Sequence, residues 1–291
     1  MPSNFVKKPE WLRIKLGGSM TYGETRKVIE GHCLHTICSS GRCPNQGECW
    51  SRGTATFMIG GNICTRSCRF CNTLSGRPMP LDPNEPRAVA ESVRTMKLKH
   101  AVITSVDRDD LPDGGAAHWR DTILAIRSLC PGVTCEVLIP DFRGDLALVD
   151  LVIAAQPNII SHNLETVSRL TPLVRSVATY ERSLSVLGHI ASSGIPAKTG
   201  IMLGLGETES EILKTMDDAR RVGVSILTIG QYLRPSRKNI PVERYVEPSE
   251  FDRLRELALE RGFTHVVSGP LVRSSYHAEE QVGHSNPKIS V

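Results

Sequence analysis

The stretch TATFMIGGNICTRSCRFC, residues 54–71, joins a strand-like run to a dense group of cysteines. Its first half is short, apolar and rich in residues that favour strands, and two glycines close it, as at a buried strand that ends in a turn. Its second half sets Cys64, Cys68 and Cys71 in the spacing C-x3-C-x2-C. The cysteines therefore stand on the loop at the C-terminal end of a strand, the face on which parallel α/β folds bind ligands. Three thiolates within so short a loop can hold three irons of a [4Fe–4S] cube and leave the fourth iron open to a non-protein ligand. A zinc knuckle is the competing reading. A structural zinc ion wants four protein ligands, however, and no fourth Cys or His follows Cys71 at ribbon spacing.

The strand-like pattern repeats downstream in AVITS from Ala101, CEVLIP from Cys135, NIISH from Asn158, KTGIML from Lys198 and SILTIG from Ser225. Between these runs lie segments of helical period: EPRAVAESVRTMKL, AAHWRDTILAIRSL, TYERSLSVLGHIASSG and ETESEILKTMDDARRVG. The last two end at a glycine suited to a C-cap. Strands alternating with helices predict parallel βαβ units. A complete eight-unit barrel takes about 250 residues, more than the repeating region 54–230 offers. The expected fold is α/β, a partial (β/α)6 barrel of the TIM type. It divides the chain into an N-terminal cysteine-rich arm, residues 1–52, the barrel, residues 53–262, and a C-terminal extension, residues 263–291. In that extension a strand THVVSG, ending at Gly269, is expected beside the first strand, where it would return the tail to the arm and close it on the barrel.

Composition narrows the functional classes. At 40% hydrophobic and 23% charged residues over 291, the chain has the make-up of a globular protein with ample core, not of a disordered or fibrous one. The opening MPSNFVKKPEWLRIKL has no apolar h-region, and no later run approaches the ~20 apolar residues of a membrane helix. A cytoplasmic location is expected, with no membrane partner. Thiols stay reduced there, so nine cysteines, an odd number, read as ligands, nucleophiles or small core residues and not as disulfides. A net charge of +4 is too small to argue for nucleic acid.

The arm holds a second cysteine group. CSSGRCPNQGEC places Cys38, Cys43 and Cys49 in the spacing C-x4-C-x5-C, and Cys33 precedes them between His32 and His35. Four thiols there would complete a zinc or iron site unaided. Cys33, Cys130 and Cys135 are read instead as unligated small hydrophobes, the common role of a free cysteine.

With Phe70 at its aromatic position, CTRSCRFC resembles the C-x3-C-x-aromatic-C signature of the radical S-adenosylmethionine (SAM) superfamily. The resemblance implies SAM on the open iron and Phe70 beside its adenine. It also implies that Gly114 and Gly115 in DLPDGGA admit the methionine end of SAM, and that Asn163 and Glu165 in SHNLET bond the ribose hydroxyls. Lys198 would face SAM or substrate from inside the barrel. Plainer roles stand beside these: an ordinary turn for the glycines, a helix cap for Asn163, a core ring for Phe70, a partnered buried charge for Lys198. His162 is read as a satisfied strand-end histidine.

The arm motif, with LHTIC before it and Trp50 after it, closely resembles the N-terminal motif of lipoyl synthases. ATFMIGG, EPRAVAESVRTM, RDDLPDGGA, LIPDF, HNLETV, TYERSL, LGLGE, QYLRPS and GPLVRSSYHAE extend the match over nearly the whole chain. This resemblance implies two [4Fe–4S] clusters. Cys64, Cys68 and Cys71 would bind the one that cleaves SAM. Cys38, Cys43, Cys49 and a serine of the R-S-S-Y motif, Ser274 or Ser275 with Ser275 the assignment made, would bind the auxiliary one. The reaction implied is insertion of two sulfur atoms, at C6 and C8 of an octanoyl chain on a lysine of a lipoyl carrier domain, with the auxiliary cluster as donor. Implied partners are octanoylated carrier domains (2-oxoacid dehydrogenase E2 subunits, glycine cleavage H protein), a flavodoxin or ferredoxin reductant, and an iron–sulfur carrier protein for cluster renewal. Arg234, Arg237, Lys238 and Arg244 in YLRPSRKNIPVERY form a basic rim that would steer an acidic carrier. Another sulfur-inserting radical SAM enzyme is opposed by the paired arm and tail motifs. A zinc-stabilised binding protein is the non-enzymatic alternative.

Overall fold

The structure is a computed structural model, which describes residues 8–13, 19–32, 34–52, 54–276 and 278. Cys33 lies outside the described residues, and so does the reading made for it. The arm opens with a 3-10 turn at Glu10–Leu12 and helix α1, Met20–Gly31, whose first turn is capped by Ser19 Oγ accepting from the Tyr22 N–H. Strand β1, His35–Thr36, and helices α2, Ile37–Ser40, and α3, Gln46–Ser51, follow. Strand β2, Thr56–Ile59, starts the barrel. Beyond it β3, Ile63–Cys64, and β4, Leu74–Ser75, pair in parallel and fasten the two ends of the cysteine loop to each other.

Helices and strands then alternate: α4, Glu85–Thr95, β5, His100–Ser105, α5, Ala116–Leu129, β6, Thr134–Leu138, α6, Leu146–Ala154, and β7, Ile159–Ser161. After these come α7, Thr171–Val174, α8, Tyr180–Ser192, β8, Ala197–Leu203, α9, Glu209–Arg221, β9, Ile226–Gln231, α10, Pro248–Glu260, and β10, His265–Gly269. The sheet runs β1-β2-β5-β6-β7-β8-β9-β10, open between its two ends. Every pair from β2 onward is parallel, and β1 lies antiparallel on β2. The six expected barrel strands are β2 and β5 to β9. Helix α6 has no counterpart among the expected helices, because LALVDLVIA is apolar nearly all round and offers no polar face to read.

One expectation is corrected. The strand ending at Gly269 pairs with β9, the last barrel strand, and not with the first. Following α10, it simply adds a seventh parallel strand to the βα progression. The tail does return to β2, but by side-chain contacts across the open side of the barrel.

Outward faces of the strands and inward faces of the helices form one apolar core, with Phe57, Ile103, Val137, Ile123 and Ile126 inaccessible to solvent. Each such side chain contributes roughly 1.5–3 kcal/mol relative to exposure. Ile29 and Trp50 of the arm join the same core, and the Tyr22 and Trp50 rings meet at 5.3 Å. The arm is thus held by the barrel's own apolar surface.

Candidate active site

The cysteine loop is built on a turn that needs glycine. Gly60 and Gly61 both take positive φ, 81° and 94°. The Gly60 N–H donates to Glu85 Oε2 (2.8 Å), and that carboxylate also meets His118 Nε2 at 2.6 Å. The thiols that follow already sit against backbone donors. Arg66 N–H and Asp107 N–H point to Cys64 Sγ at 3.4 and 3.3 Å, and Thr73 N–H points to Cys71 Sγ at 3.4 Å. Cys68 Sγ lies 3.7 Å from Ser176 Oγ. Burial pushes the Cys64 thiol up to about 12, helped by the Asp107 carboxylate, and raises Cys71 as well.

Inside the same loop Arg66 is buried among three carboxylates. It pairs with Asp109 through Nε and Nη2 (2.7 and 2.9 Å), with Asp141 (2.7 Å) and with Asp107 (3.3 Å). This network ties the loop to the ends of β5 and β6. Burial alone would push Asp141 up, but Arg66 overrides it and holds that carboxyl at about 2. Sequence reading missed Arg66, whose partners are 41 to 75 residues away.

The arm thiols gather on the other side of the opening. Cys38 is buried, Cys43 and Cys49 half-buried, and each of the three is raised by burial, Cys38 to about 11 and Cys49 to about 12. Cys38 and Cys49 feel the neighbouring thiols as well. Trp50 Nε1, in the same part of the core, is buried without a hydrogen-bond acceptor among the described residues.

The tail packs on β9 and reaches the arm. Gly230 of β9 has no room for a side chain, since a Cβ there would meet the Val272 carbonyl oxygen at 2.2 Å. Asn45 Nδ2 donates to the Leu271 carbonyl (2.7 Å) and Tyr276 Oη to Glu48 Oε1 (3.3 Å), joining tail to arm. The two serines diverge. Asn163 Nδ2 donates to Ser274 Oγ (2.7 Å), and Thr56 Oγ1 donates to Ser275 Oγ (2.8 Å).

A cavity of about 500 Å³ fills the mouth and interior of the barrel, lined by Cys38, Cys43, Cys64, Cys68 and Cys71 and by both serines. Phe70, Asn163 and Glu165 line it too. Asn163 Oδ1 is buried without a partner among the described residues, and Gly200 makes room for it, since a Cβ there would stand 3.0 Å from that oxygen. Glu165 takes φ 69°, a strained value for a side-chain-bearing residue, and its carboxyl is raised by burial and drawn back by Arg175. Arg175 also lines the cavity and was not singled out in the sequence.

Three sequence candidates fall elsewhere. Gly114 borders a separate small hollow beside Phe142, and Gly115 is the left-handed cap of α5. Lys198 is inaccessible and bonded to Glu136 Oε1 (2.7 Å), an ion pair at the barrel floor, so it faces Glu136 rather than an open space. His162 is satisfied at both nitrogens, by the Ile139 carbonyl and Ser183 Oγ, and burial lowers it to about 4. Cys130 and Cys135 are buried, as read.

Residues 58–219 match the model of the radical SAM superfamily. The chain is 67% identical to the lipoyl synthase of Porphyromonas gingivalis strain W83 over 95% of its own length and 99% of that relative's. The chain belongs to the lipoyl synthase family. A second member, from Parabacteroides distasonis, is 65% identical over 95% of this chain and 99% of that protein. Among solved structures, methylornithine synthase superposes with a TM-score of 0.54 at 12% identity, covering 86% of this chain and 83% of that one, a likeness of fold alone. As a member of the lipoyl synthase family the chain is a radical SAM enzyme that uses SAM and [4Fe–4S] clusters, and its activity is lipoyl synthesis.

The residues suit those groups. Backbone N–H donors aimed at Cys64 and Cys71 support thiolates, as cluster sulfurs require. The orphaned Asn163 Oδ1 offers an acceptor to a hydroxyl donor such as a ribose. Among the described residues no trio of His, Cys, Asp or Glu converges closely enough for a single metal ion. A cube presents separate corners to its thiolates, so they need not meet at one point. Among the described residues no helix is long and apolar enough to cross a membrane.

Proposed function

We propose that Cys64, Cys68 and Cys71 hold the cluster whose remaining iron takes SAM, and that Cys38, Cys43, Cys49 and Ser275 hold the auxiliary one. One observation carries the reading: thiols from both sets and the tail serines line the same cavity. When bound, the first cluster and SAM supply a radical able to take hydrogen from an unactivated C–H bond, and the auxiliary cluster supplies sulfur to C6 and C8 of the octanoyl chain.

The chain's own residues prepare that chemistry. Asn163 Oδ1 accepts from a ribose hydroxyl, Glu165 lies beside it on the same strand end, and Phe70 flanks the adenine. Arg175 offers its charge to the methionine carboxylate of SAM. Arg66 keeps the cysteine loop in one geometry before metal arrives. The tail, clamped by Asn45 and Glu48, covers the auxiliary site and keeps water from it. On this reading residues 1–52, 53–262 and 263–291 are the auxiliary arm, the radical barrel and the closing extension.

The substrate is an octanoylated lipoyl domain, as carried by 2-oxoacid dehydrogenase E2 subunits and the glycine cleavage H protein. Arg237 and Lys238 are exposed on the loop that also carries Arg234 and Arg244, and they form the part of the basic rim most open to an acidic carrier. A flavodoxin or ferredoxin supplies electrons and an iron–sulfur carrier protein renews the auxiliary cluster, in the cytoplasm. Replacing Cys64, Cys68 and Cys71 together with alanine tests the assignment: iron should fall by half and reductive SAM cleavage should vanish. Cleavage that survives the triple change would sink it.

A further inference from the structure

We propose that Thr56 is a positioning residue for the auxiliary site, holding two of its ligands, Cys38 and Ser275, in one fixed relation. The inference rests on the assignment of those two residues as ligands.

Cys38 and Ser275 come from opposite ends of the chain and neither stands on a barrel strand. Cys38 lies in the four-residue helix α2, and Ser275 lies in a turn beyond β10. Something rigid must register them. Thr56 bears on both: its strand β2 pairs with β1, which leads directly into the helix of Cys38, and its Oγ1 donates to Ser275 Oγ at 2.8 Å. It is itself well fixed, as the first residue of β2, in register with Val102 of β5, and 6% exposed. A β-branched side chain on a strand has few rotamers, so its hydroxyl is aimed by the backbone.

Thr56 also distinguishes the two tail serines. Asn163 draws Ser274 toward the end of β7, whereas Thr56 draws Ser275 toward the arm thiols. The donated hydrogen bond fixes the direction of the serine oxygen, so Ser275 is held facing the arm thiols and its bond to iron is steadied.

The test uses the full chain with Cys64, Cys68 and Cys71 replaced by alanine and reconstituted with isotopically enriched iron, so that the auxiliary site alone holds a cluster. Mössbauer spectroscopy then reads the one iron bound by oxygen in place of sulfur, and a chelator measures how fast that iron leaves. Thr56→Val, which keeps the shape and removes the donor, should perturb that signature and speed iron loss roughly tenfold, the ratio one ordinary hydrogen bond sets. Thr56→Ala is the second variant should valine impair folding. Thr56→Ser, which keeps the hydroxyl, should behave as the Thr56 parent. A Thr56→Val protein that matches that parent overturns the proposal, and so does a Thr56→Ser protein as impaired as Thr56→Val. Ser275→Ala separates the two levels: an unchanged signature there removes Ser275 as ligand, whereas a lost signature beside a silent Thr56→Val removes only the role of Thr56.

Discussion

The cysteine loop and the arm both bring thiols to one cavity but are fastened by different kinds of contact. The loop is polar in its support: backbone N–H groups face Cys64 and Cys71, and Arg66 binds three carboxylates below them. The arm is held by apolar burial, through Ile29, Cys38 and Trp50, and is joined through Asn45 and Glu48 to a tail more than two hundred residues later. On the proposed assignment, the site that must survive every turnover has the polar frame, and the site whose contents are spent lies behind the tail.

Breaking the loop's frame should have the larger effect. Arg66→Ala removes the cation that Asp107, Asp109 and Asp141 share, leaving Arg182 near Asp141 and Arg143 near Asp109. Removing one partner of such a network costs about 3–5 kcal/mol, and the loss here should lie toward the lower end of that range. Urea denaturation should register that loss. The sign of the pH dependence follows from Asp141. Its folded value of about 2 lies below the ordinary 3.8, so it contributes roughly 2–3 kcal/mol that is fully present above pH ~4 and lost as pH falls toward 2. In Arg66→Ala the dependence over that window should shrink. Equal acid dependence in both proteins would mean that the carboxylates, not Arg66, organise the loop.

The rim gives the smallest effect. Arg237→Glu with Lys238→Glu should raise KM for an octanoylated carrier domain about three- to tenfold while leaving turnover of a short octanoyl peptide unchanged. Added salt should erase the difference between variant and parent. An equal loss with both substrates would assign these side chains to the loop's structure and not to docking.

How much of this was legible in the sequence follows the same division. The loop could be read because its chemistry is local: Cys64, Cys68 and Cys71 lie within one turn-rich segment after a strand, and six βα units announce themselves by period. Contacts set by topology could not. The pairing of Lys198 with Glu136 of β6 and the hollow that Gly114 borders beside Phe142 could not be read from local sequence. The strand ending at Gly269 was expected at the wrong edge because a short apolar run does not say which neighbour it will pair with. Thr56 carries no signal at all, being one β-favouring residue in a strand of them. The arm motif could be read only through resemblance, since no local pattern joins Ser275 to Cys38.

The claim that the two thiol sets are separable is tested most directly by replacing Cys38, Cys43 and Cys49 together with alanine. Anaerobic turnover with an octanoylated carrier peptide then allows 5′-deoxyadenosine and sulfur-bearing peptide to be quantified in the same reaction. The account predicts that the folded variant still cleaves SAM at close to the parent rate and forms no sulfur-bearing product. Loss of both products, or formation of both, would contradict it.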